Sequence, residues 1–121
     1  MNSIDQLEIY EKALDFSNLI WEIVIQWDYF AKKTVGDQLV RSTDSISANI
    51  AEGYGRFHYK ENLHFCYYAR GSLEETKDWL RKCYNRNLID EQSKIDIEKF
   101  INVFPKKLNS YINYIKKSMQ K

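Results

Sequence analysis

Glu52 and Glu75, together with Arg41, Arg56 and Arg70, are the charged residues of this 121-residue chain that could meet inside or beside a folded core. Two carboxylates can divide general acid and general base work between them. Two glutamates among several arginines more often form a structural ion-pair network, and that reading is favoured here because no nucleophile, metal or cofactor cradle accompanies them. Any that are interior must satisfy one another, with Ser42, Ser45, Asn49 and Ser72 as supporting partners, since an unpaired buried charge is expensive. His58 and His64 lie six apart with no Cys or carboxylate at zinc-ligand spacing. Neither Cys66 nor Cys83 has a nearby His, and no glycine-rich phosphate loop is present. The expectation is a protein that is not an enzyme and has no metal, no cofactor and no small-molecule substrate.

The elements that would position these groups are helices. A single proline, four glycines and few turn clusters favour long helices, and 15% aromatic residues argue against disorder. Length favours one domain over residues 1–121. Apolar residues at Ile9, Ala13, Phe16, Ile20, Ile23 and Trp27 repeat at steps of 4 and 3, predicting a first helix over roughly residues 6 to 29. Tyr10, Leu14, Trp21 and Ile25 add apolar surface outside that stripe, more than one antiparallel neighbour needs, which suggests either a contact between subunits or a generously packed bundle interior. Residues 32 to 36 break the pattern, and a second helix is expected from about Asp37 until Gly53 and Gly55 loosen it.

Residues 41 to 56 carry most of the information. Leu39, Ile46, Ile50 and Gly53 share one helical side, and Ser42, Ser45, Asn49, Glu52 and Arg56 step by 3, 4, 3 and 4 along an adjacent stripe. The far side, with Val40, Ser47, Ala48 and Ala51 and only Asp44 charged, is too bland for a solvated face, so something is expected to pack there.

A third helix is expected from near Lys60, with a core stripe of Phe65, Ala69, Ser72, Thr76, Trp79, Leu80 and Cys83. Gly71, costing about 1 kcal/mol relative to Ala in a helix, points to close packing at its middle. In the fourth segment Ile97, Ile101, Phe104, Leu108, Tyr111 and Ile115 repeat helically, and Pro105 should kink or break that helix just before it. Four long helices on short connections make an all-α, antiparallel up-and-down four-helix bundle.

The net charge of +1 gives no general pull towards nucleic acid or membrane, but its distribution is uneven. Residues 1 to 30 carry six acids and one Lys, whereas residues 91 to 121 carry seven Lys and three acids. Acidic first and basic last helices suit one another as antiparallel neighbours. The sharper alternative is a basic surface for phosphate, using Arg81, Lys82, Arg86, Lys106, Lys107, Lys116 and Lys117, with Lys32, Lys33, Arg56 and Lys60 as further cations. Trp27, Trp79 and Tyr111 fall on core stripes, leaving Tyr54, Tyr59, Tyr67, Tyr68 and Tyr114 less constrained and able to stack on bases. Cys66 and Cys83 lie about 25 Å apart along one helix, too far to bridge, which favours a reduced cytoplasmic setting. No apolar run approaches the roughly 20 residues that span a bilayer, and no signal peptide is recognisable, so a soluble protein is expected.

With these residues in view, the chain resembles a family of bacterial four-helix bundle proteins encoded in intervening sequences of large-subunit ribosomal RNA genes. The family's Arg followed by Ser-Ile-x-Ala-Asn-Ile-Ala-Glu-Gly-x-Gly-Arg is met by Arg41, Ser45, Ile46, Ala48, Asn49, Ile50, Ala51, Glu52, Gly53, Gly55 and Arg56. A second block, Ala-Arg-Gly-Ser-Leu-x-Glu, is met by Ala69, Arg70, Gly71, Ser72, Leu73 and Glu75, and the start Leu7-Glu8-Ile9-Tyr10-Glu11-Lys12-Ala13 is also similar. The resemblance implies an up-and-down bundle that assembles as a ring-like homopentamer with no known enzymatic activity. It also implies a distant likeness to accessory variability proteins of diversity-generating retroelements, basic pentamers that bind nucleic acid and a reverse transcriptase. The near-neutral charge fits that branch poorly. Where the family commonly starts helix three with Ser in a Ser-x-x-Glu capping box, this chain has His58 before Glu61, which caps less well.

Two functions follow as expectations. One is an oligomeric accessory protein that associates with RNA or DNA through cations gathered by assembly. The other is a protein-interaction scaffold with no nucleic-acid role, in which Arg41, Ser45, Asn49, Glu52, Arg56, Arg70, Ser72 and Glu75 fix which helices meet.

Overall fold

The computed structural model describes residues 4–120; residues 1–3 and Lys121, the last of the seven C-terminal lysines, lie outside the described residues. After one 3-10 turn (Ile4–Gln6), four helices follow: α1 (Glu8–Val24), α2 (Asp37–Tyr54), α3 (Tyr59–Asn85) and α4 (Glu91–Met119). Cross-helix contacts fix the directions. Phe16 stacks on Phe100 at 3.9 Å and Lys107 Nζ reaches Glu8 Oε1 at 2.9 Å, so α1 and α4 are antiparallel. Tyr84 with Glu98 and Asn62 with Tyr111 set the same relation for α3 and α4. The acidic start and basic end of the chain are therefore neighbours, as their charges suit.

The first helix ends earlier than its apolar stripe suggests. It stops at Val24, the chain turns, and Asp28 starts a new helical segment by accepting the Ala31 N–H at 2.9 Å. An α turn (Tyr29–Ala31) and a π-helical segment (Lys32–Gly36) then run directly into α2, where the sequence pattern indicates a break. Gly36 belongs there for a steric reason: a Cβ on it would lie 2.9 Å from Val24 Cγ1 and 3.0 Å from the Ala31 carbonyl oxygen. Trp27, read as the last residue of the α1 stripe, packs on the core from the connecting turn instead.

The connection from α3 to α4 is tight. Asn87 takes φ 58°, the Leu88 N–H bonds the Cys83 carbonyl and the Asn87 N–H bonds that of Tyr84, closing the helix end in a left-handed cap. Asp90 then caps α4 by accepting the Ser93 N–H at 2.8 Å. At the other corner His58 precedes α3 with no side-chain cap.

The interior forms two apolar clusters joined through Phe100 and Ile101, one around Ile46, Ile50, Leu73 and Leu108, the other around Ile20, Leu39, Leu80 and Ile97. The stripes expected for α1, α2 and α4 face this interior. That of α3 is rotated: Leu63, Cys66, Ala69, Leu73, Thr76, Leu80 and Cys83 are buried, while Phe65, Ser72 and Trp79 stand half-buried at its margins. Pro105 does not end α4, which continues through it to Met119, its halves anchored by the buried Phe104 and Leu108. Gly71 is exposed, and a Cβ there would meet nothing within 4 Å, so packing inside the subunit does not account for it. The close approach occurs at Gly53, where a Cβ would lie 2.6 Å from Asn62 Oδ1 and 2.8 Å from Phe65 Cβ.

Candidate functional site

The polar stripe of α2 meets α3 along a seam of short side chains. Ser42 is buried and its hydroxyl donates to the Leu39 carbonyl at 3.1 Å; the Thr76 hydroxyl of α3 lies 3.0 Å from it. Thr76 is also 2.8 Å from the Ser72 carbonyl, the usual way a helical Thr satisfies its hydroxyl. One turn further, the Asn49 amide donates to the Ser45 carbonyl at 2.9 Å and reaches Ser72 Oγ at 3.5 Å, while Ser45 bonds the Arg41 carbonyl. These hydroxyls and this amide are small enough to let α2 and α3 approach and are satisfied once they do. Asn49, Ser45 and Ser72, all singled out by spacing, are thus brought together.

The charged members of the motif are not. Arg41 pairs along its own helix with Asp37 at 3.0 Å, and both are exposed. Glu75 accepts the indole N–H of Trp79, and Arg70 lies over the Tyr67 ring at 4.9 Å. Arg56 alone crosses a helix boundary, reaching Glu52 at 3.7 Å, Glu61 of α3 at 3.9 Å, and the Phe65 ring at 4.9 Å. The expected locking of helices by Arg41, Glu52, Arg70 and Glu75 does not occur within one subunit, because all four point to solvent. At such exposure each pair contributes a fraction of a kcal/mol at most. Hydroxyls and the Asn amide join the helices.

The bland far side of α2 has a partial cover in α1. Ser47 and Thr43 are buried there, and the Ser17 hydroxyl donates to the Thr43 carbonyl at 3.4 Å. Beside them, burial pushes the Asp44 carboxyl above its ordinary range, against a hydrogen bond from Ser17. Ala48 remains exposed.

The basic candidates fall into two groups. Arg81 and Lys82 occupy the last turns of α3 and Arg86 its C-cap; Arg81 reaches Asp78 at 3.5 Å, and the hydrogen bond and charge of Lys82 hold the same carboxyl below its ordinary range. Lys106, Lys107, Lys116 and Lys117 ride on the second half of α4, at the far end of the bundle. Lys107 is engaged by Glu8, and Lys116 sits 6.0 Å from the Tyr67 ring centre. The two groups lie on the order of 20 Å apart along the bundle and do not make one patch.

Residues the sequence reading passed over also stand out. Phe57 follows Gly55 and Arg56 in the corner between α2 and α3 and is 94% exposed, edge-on to His58 at 5.0 Å. A large apolar residue inside a turn is the signal that would have found it. Among the described residues, no three or more His, Cys, Asp or Glu side chains are placed to hold a metal, and no helix is long and apolar enough to cross a membrane.

These features define a class: antiparallel helical bundles whose regularly spaced polar motif is a packing seam, with its charged residues displayed outwards. Within it, the chain belongs to the 23S rRNA-intervening sequence protein family, whose model matches residues 5–110. Comparison with curated proteins finds no match.

Proposed function

We propose that this protein works without catalysis, as an oligomeric helical bundle that associates with RNA. The observation that carries the reading is the exposed cationic end of α4, where Lys106, Lys116 and Lys117 stand in solvent and α4 as a whole holds six lysines against three acids. The family's description, which names a ribosomal RNA intervening sequence, supports RNA as the partner class. Assembly would multiply these cations, since a surface too weak in one copy gains retention when several copies present it together. A homopentamer in the bacterial cytoplasm fits this picture, and single-stranded DNA is the competing polymer.

Retention of RNA measured against salt tests it. Binding should fall steeply with ionic strength, and replacing Lys106, Lys107, Lys116 and Lys117 by Glu should weaken it and flatten the slope. No retention by the unaltered protein at low salt would remove the proposal. The runner-up is a protein-interaction scaffold, favoured by the exposed Trp21, Tyr29 and Phe30. In that case Asn49→Leu or Ser47→Trp changes the mass in solution while the lysine changes alter nothing.

A further inference from the structure

At the corner where α2 turns into α3, the end of the bundle holds a recess of about 210 Å³. Its walls are aromatic. Tyr54 closes α2, Phe57 stands in the turn, Tyr59 opens α3, and Tyr111 and Tyr114 come across from α4 as a near-parallel pair with ring centres 6.3 Å apart. Polar groups sit among them: the Asn62 amide donates to the Tyr111 hydroxyl at 3.2 Å, and the Arg56 guanidinium lines the mouth. We propose that this recess takes one unpaired base of a single-stranded RNA, with Phe57 and Tyr114 stacking on it and Lys116 and Lys117 on the flanking phosphates.

Three observations converge on that occupant. Phe57 is 94% exposed and Tyr114 61%, so their rings contribute little to the core, and flat rings free to be covered are what a base face requires. The recess has room for one flat ring system, and its Asn62 and tyrosine groups can meet the donors and acceptors on a base edge. The surrounding charge favours a polyanion: Arg56, Lys60, Lys116 and Lys117 stand against Glu52 and Glu61, both of which Arg56 engages. Asp5 in the opening 3-10 turn and Glu8 and Glu11 on α1 lie at this end too; α1 packs on α2 and α4 rather than on α3, and Glu8 is tied to Lys107. Duplex RNA keeps its bases stacked on one another and offers none to the recess, so the site selects single strands.

This inference rests on the RNA reading above, and the experiment separates the two. Full-length protein is titrated with a labelled oligoadenylate of about a dozen nucleotides, and with the same strand annealed to its complement. Phe57→Ala and Tyr114→Ala should each weaken single-strand binding about fivefold or more, leave the salt slope unchanged and spare duplex binding. The double change Lys116→Glu with Lys117→Glu should instead flatten the slope. Because both rings stand largely in solvent, these variants should retain the unfolding midpoint of the parent. If the parent protein binds the strand and the ring variants bind it equally well, the recess is not the site. If Phe57→Ala lowers the mass in solution, the ring serves contacts between copies and the proposal falls. Absence of binding by the parent at low salt overturns the RNA reading itself.

Discussion

Cys66 and Cys83 are fully enclosed, and burial pushes both thiols up to about 11, with Arg86 slightly opposing the effect at Cys83. A thiol held neutral behind packed side chains is neither nucleophile nor metal ligand at neutral pH. Both should resist a thiol reagent at pH 8 until the protein unfolds; rapid labelling of the native chain would show that the core opens. The same burial ties stability to pH. In the unfolded chain the thiols ionise near 9.0, before the folded ones do, so this contribution is intact below that pH and is lost as pH rises towards about 11. Thr43 presents the opposite situation: its hydroxyl is fully buried and has no hydrogen-bond partner among the described residues. Thr43→Val keeps the shape and removes the orphan, so it should raise the unfolding free energy by about 1 to 2 kcal/mol in urea. A lowered midpoint would mean that the hydroxyl is bonded.

Among the helices, the α2–α3 seam depends on contact distance at Gly53. A methyl there would press on the Asn62 side chain and the Phe65 Cβ, so Gly53→Ala should cost about 1 to 3 kcal/mol despite the gain in helix propensity. Gly71→Ala meets nothing and should stabilise the isolated subunit by up to about 1 kcal/mol. Thermal unfolding of the two variants checks the contrast, and a fall in assembly mass for Gly71→Ala would place that glycine between copies. The contrast also marks what the sequence makes legible. Steps of 3 and 4 among Ile9, Ala13, Phe16 and Ile20, or Ile97, Phe104 and Leu108, reflect helix geometry and point directly to buried faces. On α3 the bulky Phe65 and Trp79 draw the expected stripe towards themselves, whereas the buried line also runs through the smaller Leu63, Cys66 and Leu73. Large rings sit at the margin of a helix interface as readily as at its centre. The end of α1 was hidden for a related reason: Trp27 continues the apolar rhythm while Asp28 starts the next segment, and only the cap distinguishes them. Within the seam, Asn49 and Ser72 are legible as polar partners of the motif, and the structure makes them neighbours, but spacing gives no direction for Arg41, Arg70 and Glu75, whose long chains reach solvent.

For the whole molecule, the deciding surface is at the end opposite the aromatic recess. Trp21 and Ile25 near the close of α1 and Tyr29 leading into α2 are 52%, 44% and 74% exposed and line one groove with Val40, and Phe30, next to Tyr29 in the chain, is 75% exposed. Large apolar side chains left in water are disfavoured by roughly 25 cal/mol for each Å² uncovered. Single exposed residues are ordinary on a monomer, but a contiguous group rimmed by Lys32, Lys33 and Asp37 is the pattern of a surface that another chain covers. A second copy suits it, because each chain carries only +1 and association brings together little like charge. Trp21→Glu and Phe30→Glu should therefore leave the helical circular dichroism and cooperative unfolding of the bundle intact, since neither side chain enters the core, while lowering the mass measured by light scattering. RNA retention should fall with that mass even though no lysine has changed, because cations on separate copies no longer act together. A parent protein that already scatters as a single chain, or Glu variants that keep the full mass, would assign this surface to a different partner.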